Sequence, residues 1–99
     1  MNLAKIQGTY QYSDGNLTSS DKEFVLFIAP STTSNPASPD YQLLFRQDGH
    51  PNNNKRLSGL FRKGSSNNVF RGDIYQQGKR ETFILSIDRA KGLATIKPR

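Results

Sequence analysis

The chain has 99 residues, a formal net charge of +6, no cysteine and one histidine. That length holds one modest core, so a single domain spanning residues 1–99 is expected. Without cysteine there are no disulfides, thiolate nucleophiles or cysteine-based zinc and iron–sulfur sites, and the lone His50 excludes a multi-histidine metal site.

In chain order the apolar pattern is one of strands. Ala4, Ile6, Tyr10 and Tyr12 share a parity against Lys5, Gln7, Thr9 and Gln11, which predicts a half-buried strand with Gly8 as a bulge or close-approach point. Residues 14–22 are polar and read as a loop. The continuous apolar run FVLFIA, residues 24–29, ends at Pro30 and reads as a strand covered on both faces. After the polar stretch 30–40, Tyr41, Leu43 and Phe45 alternate into a third strand that stops at Asp48-Gly49. Residues 48–55 form a further turn-rich connection. Four more strands are predicted, at about 56–63, 68–76, 80–88 and 93–97. No window carries an apolar stripe of helical period and length. The expected fold is all-β: a small antiparallel meander of about seven strands, closed in part into a barrel or packed as a sandwich. An oligonucleotide-binding barrel fits less well, because no helix falls between the middle strands.

Turn chemistry sets a register for the last four strands. With Gln77-Gly78 at a hairpin tip, residues whose numbers sum to 155 face each other, so Phe70 opposes Leu85 and Gly72 opposes Phe83. A loop over residues 64–67 sets Phe61 opposite Phe70 and Leu57 opposite Ile74. A loop over residues 89–92, with Gly92 left-handed, sets Leu85 opposite Ile96 and Ile87 opposite Ala94. All three turns yield one apolar inner face, and a one-residue slip in any would turn that strand outward. On the outer face the same register places Arg56, Tyr75 and Arg80 in one row. It places Leu60, Arg71 and Ile84 in a second, with Ser58, Asp73 and Thr82 between them.

Charge is concentrated in that half. Residues 1–54 carry three basic and five acidic side chains, a net of −2; residues 55–99 carry eleven and three, a net of +8. Such a segment is expected for a polyanion ligand, whether nucleic acid, an acidic protein or an anionic membrane surface, although surplus lysine and arginine also serve solubility alone. The candidate binding residues are Arg56, Arg62, Arg71, Tyr75, Lys79 and Arg80, combining phosphate contact with a surface for base stacking. Signs of catalysis are poor. Asp73, Glu81 and Asp88 do not converge, and His50 lies within a turn. Ser58-Gly59 and Gly64-Ser65-Ser66 lack a nucleophile-elbow or phosphate-loop context. Neither a cofactor nor a metal is expected. Asn16-Leu17-Thr18 has the form of a glycosylation sequon, and Arg71-Gly72-Asp73 falls in mid-strand rather than on a displayed loop.

Ile6-Gln7-Gly8-Thr9-Tyr10 and Leu57-Ser58-Gly59-Leu60-Phe61 resemble the Gly-x-Tyr/Trp strand pieces of avidin-like and lipocalin-like meander barrels. The resemblance implies a barrel alone. The chain has no Trp, on which avidin-like pockets rely, so no biotin or lipid site carries over. No apolar run approaches the roughly 18 residues of a membrane span, and residues 1–20 lack a signal-peptide pattern, so the expected location is the cytoplasm. The expected function is non-enzymatic binding of nucleic acid or another polyanion through the basic outer face of residues 55–90. The alternative is a small adaptor or inhibitor, of the phage or host-defence accessory type, that recognises an acidic protein surface. A small-ligand-binding β-barrel is the third expectation.

Overall fold

The computed structural model describes residues 2–31, 37–47 and 54–99. The Asp48-Gly49 turn, His50 and part of the 30–40 connection lie outside the described residues. A short α1 (Leu3–Ile6) precedes eight strands: β1 (Gly8–Ser13), β2 (Asn16–Thr18), β3 (Phe24–Pro30), β4 (Tyr41–Gln47), β5 (Lys55–Arg62), β6 (Val69–Gln76), β7 (Lys79–Asp88) and β8 (Leu93–Pro98). Each strand pairs antiparallel with the next, and β8 returns to β1, with Gly8 opposite Ile96 and Gln11 opposite Leu93. The meander is therefore a fully closed eight-stranded barrel, one strand more than expected and with no gap.

The extra strand is β2, inside the stretch read as a loop. Asp14 and Gly15 both have positive φ, 48° and 87°, and join Ser13 to Asn16 in a two-residue turn. That is the backbone twist an antiparallel hairpin requires, and Asp-Gly supplies it cheaply. Gln77 and Gly78 repeat the geometry, at 51° and 77°, at the tip of β6–β7.

The start of the expected first strand is instead helical. Asn2 caps it, its side-chain oxygen accepting from the Lys5 backbone N–H at 3.0 Å, and Leu3 and Ile6 meet on one face three residues apart. Both are buried while Ala4 is exposed, so the parity that grouped Ala4 with Ile6 fails there. The turn stoppers the barrel end where β1 begins. The Tyr10 hydroxyl, within the barrel, donates to the Ile6 carbonyl at 2.5 Å.

Eight strands enclose an interior just wide enough for side chains to fill. Here Tyr10, Phe70 and Phe83 fill it together with Leu17, Leu26, Leu43, Leu60, Ile74, Leu85, Ile87, Ala94 and Ile96. β3 is covered on its inner face, where Leu26 is fully buried. On its outer face Phe27 is half-buried beneath the Arg46 guanidinium, 4.6 Å from the ring centroid. The β6–β7 and β7–β8 registers are those expected, with Phe70 opposite Leu85, Gly72 opposite Phe83 and Leu85 opposite Ile96. Gly72 is required at its position, because a Cβ there would come within 2.8 Å of Phe83 Cε1 and closer still to Cζ.

The β5–β6 register is one residue away from expectation. Leu60 opposes Gly72, Phe61 opposes Arg71 and Arg62 opposes Phe70. The cause is Asn68. Its carbonyl accepts from the Ile87 N–H at 2.7 Å and its side chain accepts from Arg89 Nε at 2.7 Å, while Lys63 N–H pairs with the Val69 carbonyl at 2.9 Å. Asn68 thus belongs to the loop, which is one residue longer than the 64–67 assumed. Leu60 and Ser58 accordingly turn inward and Phe61 turns outward. Leu57 is the additional residue of a β-bulge, since β4 pairs Leu43 with Ser58 but Leu44 with Arg56.

Candidate functional site

Because β5 to β8 are consecutive around the barrel, the +8 segment forms one continuous sector of the wall and the residues before it form the other. Within this sector the corrected register builds an outer row of Phe61, Arg71, Ile84 and Lys97. Arg71 and Ile84 share a row as expected; Phe61 takes the place assigned to Leu60.

A groove of about 360 Å³ follows this row, lined by Phe61, Arg62, Lys63, Gly64, Arg71, Ile84 and Arg99. Its floor is the half-buried pair Phe61 and Ile84, and the Arg71 guanidinium sits 5.3 Å from the Phe61 ring centroid. Arg99 is drawn to the groove by its backbone N–H, which donates to the Thr82 carbonyl at 3.0 Å. Arg62 is tied at its backbone to the Asp40 carboxylate, at 3.0 Å, and its guanidinium lies 5.7 Å from the Tyr41 ring centroid. Tyr41 in turn stands edge-on to buried Phe70, with centroids 5.5 Å apart. None of the four groove cations forms an ion pair with a carboxylate among the described residues. Asp73, the nearest acid in register, instead accepts from the Thr82 hydroxyl at 2.6 Å, and its backbone N–H donates to the buried Ser58 Oγ at 2.9 Å.

The remaining candidates fall elsewhere. Tyr75 and Arg80 are cross-strand partners beside Lys79 at the β6–β7 tip, with Tyr75 71 % exposed. Arg56 does not join them. The β5–β6 ladder ends at Leu60–Gly72, and the Arg56 guanidinium instead lies over Gly59 beside Pro39, where a Cβ on Gly59 would meet its Nη2 at 3.0 Å. The expected Arg56–Tyr75–Arg80 row is thus a pair with Arg56 apart from it. Arg89 is committed to structure: it donates to Asn68 Oδ1, to the Asn67 carbonyl at 3.0 Å and to the Tyr12 hydroxyl at 3.1 Å. Lys63, Arg99 and Phe61 were not singled out from the sequence. The correct β5–β6 register places Phe61 and Lys63 beside Arg71, while Arg99 arrives through the β7–β8 ladder and its bond to Thr82.

Two other clefts differ in charge. One of about 390 Å³ beside α1 mixes Lys5 and Lys22 with Asp21 and Glu23 over Phe24 and Phe45. There the Ser19 hydroxyl donates to the Asp21 carboxylate and holds its pKa below the ordinary value, with Lys22 adding to the effect. The other, about 470 Å³, is bordered by Thr9, Tyr10, Gln11, Thr18, Ser19, Ser20 and Leu93 and carries no charged side chain. Of the three, the groove on the outer wall alone is lined by charge of one sign. Among the described residues no group of three His, Cys, Asp or Glu side chains could hold a metal, and no helix is long and apolar enough to cross a membrane.

These features define a closed up-and-down β-barrel with a filled interior and one basic side. The chain matches no family model, no curated protein and no solved structure.

Proposed function

We propose that this protein is a non-enzymatic binding module that engages a polyanion, nucleic acid foremost, through the outer wall of β5 to β8. The observation that carries this reading is the groove of Arg62, Lys63, Arg71 and Arg99, four cations uncompensated by ion pairs among the described residues, within a sector of net charge +8. The packed interior supports it as well, since it leaves the outer surface as the place for a ligand. Uncompensated cations on a surface release condensed counterions when they neutralise phosphates, so affinity should fall with salt. Retention on heparin and on DNA columns, measured across a salt series, tests the reading. Elution from both should move to lower salt when Arg62 and Arg71 are replaced with Ala. Absence of retention on either near physiological salt would overturn it.

A second reading rests on Tyr75. Exposed Tyr beside Arg is a combination enriched among energetic anchors of protein interfaces, and with Lys79 it suits an acidic protein surface. Under that reading Tyr75→Ala abolishes capture of a protein partner and leaves heparin retention unchanged.

A further inference from the structure

We infer that the outer groove is a seat for single-stranded rather than duplex nucleic acid, with the strand running diagonally across β5, β6, β7 and β8. This rests on the polyanion reading above and assigns its ligand class. Three observations carry it. The first is the line of the cations. Lys63 lies one outer row above Arg71 and one strand away, and Arg99 extends one row below it and two strands further, since Lys97 opposes Ile84 and Arg99 N–H reaches Thr82. With strands about 4.8 Å apart and outer residues about 6.7 Å apart along a strand, these steps are roughly 8 and 12 Å. Lys63, Arg71 and Arg99 therefore follow one oblique line, flanked by Arg62 on β5 and Lys97 on β8, as in grooves that guide a single backbone.

The second observation is the floor. Phe61 and Ile84 are half-buried apolar side chains between those cations. A duplex presents phosphates and sugars to such a wall and has its base faces already stacked. An unpaired base has an exposed π-face that can lie against a ring and an aliphatic side chain, an interaction worth roughly ten- to a hundredfold in affinity. The third is size. A groove of about 360 Å³ stands at the small end of ligand-sized clefts, roughly 300–1,000 Å³, and suits a single base seated at one point of the strand's path rather than a duplex surface.

The test uses fluorescence anisotropy with a labelled mixed-sequence single strand and its blunt duplex, over a salt series, on the full chain. The variants are Lys63→Ala with Arg71→Ala, Phe61→Ala, and Lys91→Ala as a single-charge control in the exposed β7–β8 turn. Circular dichroism melts of each establish that all are folded. The wild type should bind the single strand more tightly than the duplex at every salt concentration. The double variant should lower the log–log salt slope by about 1.4, at roughly 0.7 for each phosphate no longer neutralised. Phe61→Ala should weaken binding at least roughly tenfold with the slope unchanged, and Lys91→Ala should leave both intact. Equal affinity for duplex, or damage from Lys91→Ala that matches that of the Lys63→Ala/Arg71→Ala pair per charge removed, would overturn the groove assignment while leaving polyanion binding in place. Loss of heparin retention in the wild type would instead remove the reading beneath it.

Discussion

Adding one methyl group at Gly72 probes the point where the Phe83 ring lies over β6. A Cβ there would stand 2.8 Å from both Phe83 Cε1 and Ser58 Oγ, and nearer still to Phe83 Cζ. Carbon atoms in favourable van der Waals range sit about 3.5–4.0 Å apart, so the ring must yield by more than an ångström at Cζ. It has little room, since Phe83 is fully buried. Overpacking of this kind costs about 1–3 kcal/mol, offset by roughly 0.5–1 kcal/mol because Ala loses less backbone entropy than Gly in a strand. Gly72→Ala should therefore destabilise by about 1–2 kcal/mol, a fall in Tm of several degrees for a domain this size. Phe83→Leu removes both offending ring atoms and keeps more of the core than Phe83→Ala, which would cost about 3–5 kcal/mol. In the Leu background only the Ser58 Oγ contact remains, so Gly72→Ala should cost clearly less, giving a coupling energy of about 1 kcal/mol. Urea unfolding followed by far-ultraviolet circular dichroism measures all four corners of the cycle. Should Gly72→Ala cost the same in both backgrounds, the ring does not cover Gly72 and the β6–β7 packing is wrong.

Other substitutions bear on different parts of the barrel. Leu60→Ala should cost about 2–5 kcal/mol in urea unfolding, because Leu60 is fully buried. Phe61→Ala should cost clearly less, and the reverse order would restore the register in which Phe61 faces inward. Arg89→Ala removes three hydrogen bonds that tie the β5–β6 loop to Tyr12. It should lower stability by about 1–2 kcal/mol and increase proteolytic cleavage near Asn67. Burial, with Asp21 adding a smaller effect, raises the Tyr10 pKa well above its ordinary value of 10.0, although the Lys22 ammonium lies 5.9 Å from the ring. A group whose folded pKa is raised stabilises fully below its unfolded pKa and loses that contribution as pH rises through the folded one. Stability should thus decline above about pH 10, and Tyr10→Phe should flatten that decline when urea midpoints at pH 8 and pH 10.5 are compared.

The parts of the fold that could be read from the sequence are those governed by local rules. Alternation through Tyr41, Leu43 and Phe45 and the Gln77-Gly78 turn depend on neighbours a few residues away, and both stand in the structure. The helical turn at Leu3–Ile6 was invisible because four residues cannot display a 3.6-residue stripe, and its stability comes from Asn2 and from the barrel end it closes. Asp14-Gly15 was a usable hairpin signal. It was lost because β2 offers only Leu17 as a buried residue and so shows no alternation. The β5–β6 offset arose from Asn68, whose bonds to Ile87 and Arg89 come from distant sequence. The site inherited that error. Arg71 and Ile84 could be placed on the outer wall from hairpin geometry, and the β7–β8 register extended to Arg99, whereas Lys63 and Phe61 reach them only through the β5–β6 register.

Closure between β1 and β8 has a consequence for self-association. Residues 24–29 of β3 are six consecutive apolar residues without charge or proline, the kind of segment that stacks into cross-β assemblies when its backbone becomes available. Its cover on one side is slight, for β2 offers it only the pairs Asn16–Phe27 and Leu17–Leu26. What keeps this sheet from presenting a template is that it has no end: a ring of strands leaves no row of unpaired amides for another copy to extend. The seam that completes the ring has four rungs. Loosening it, for instance with Thr9→Pro, would create two sticky margins at once, and β2 is too short to shield the apolar strand behind it. Weakened variants of this protein should therefore precipitate as β-rich material instead of dissolving as unfolded chains.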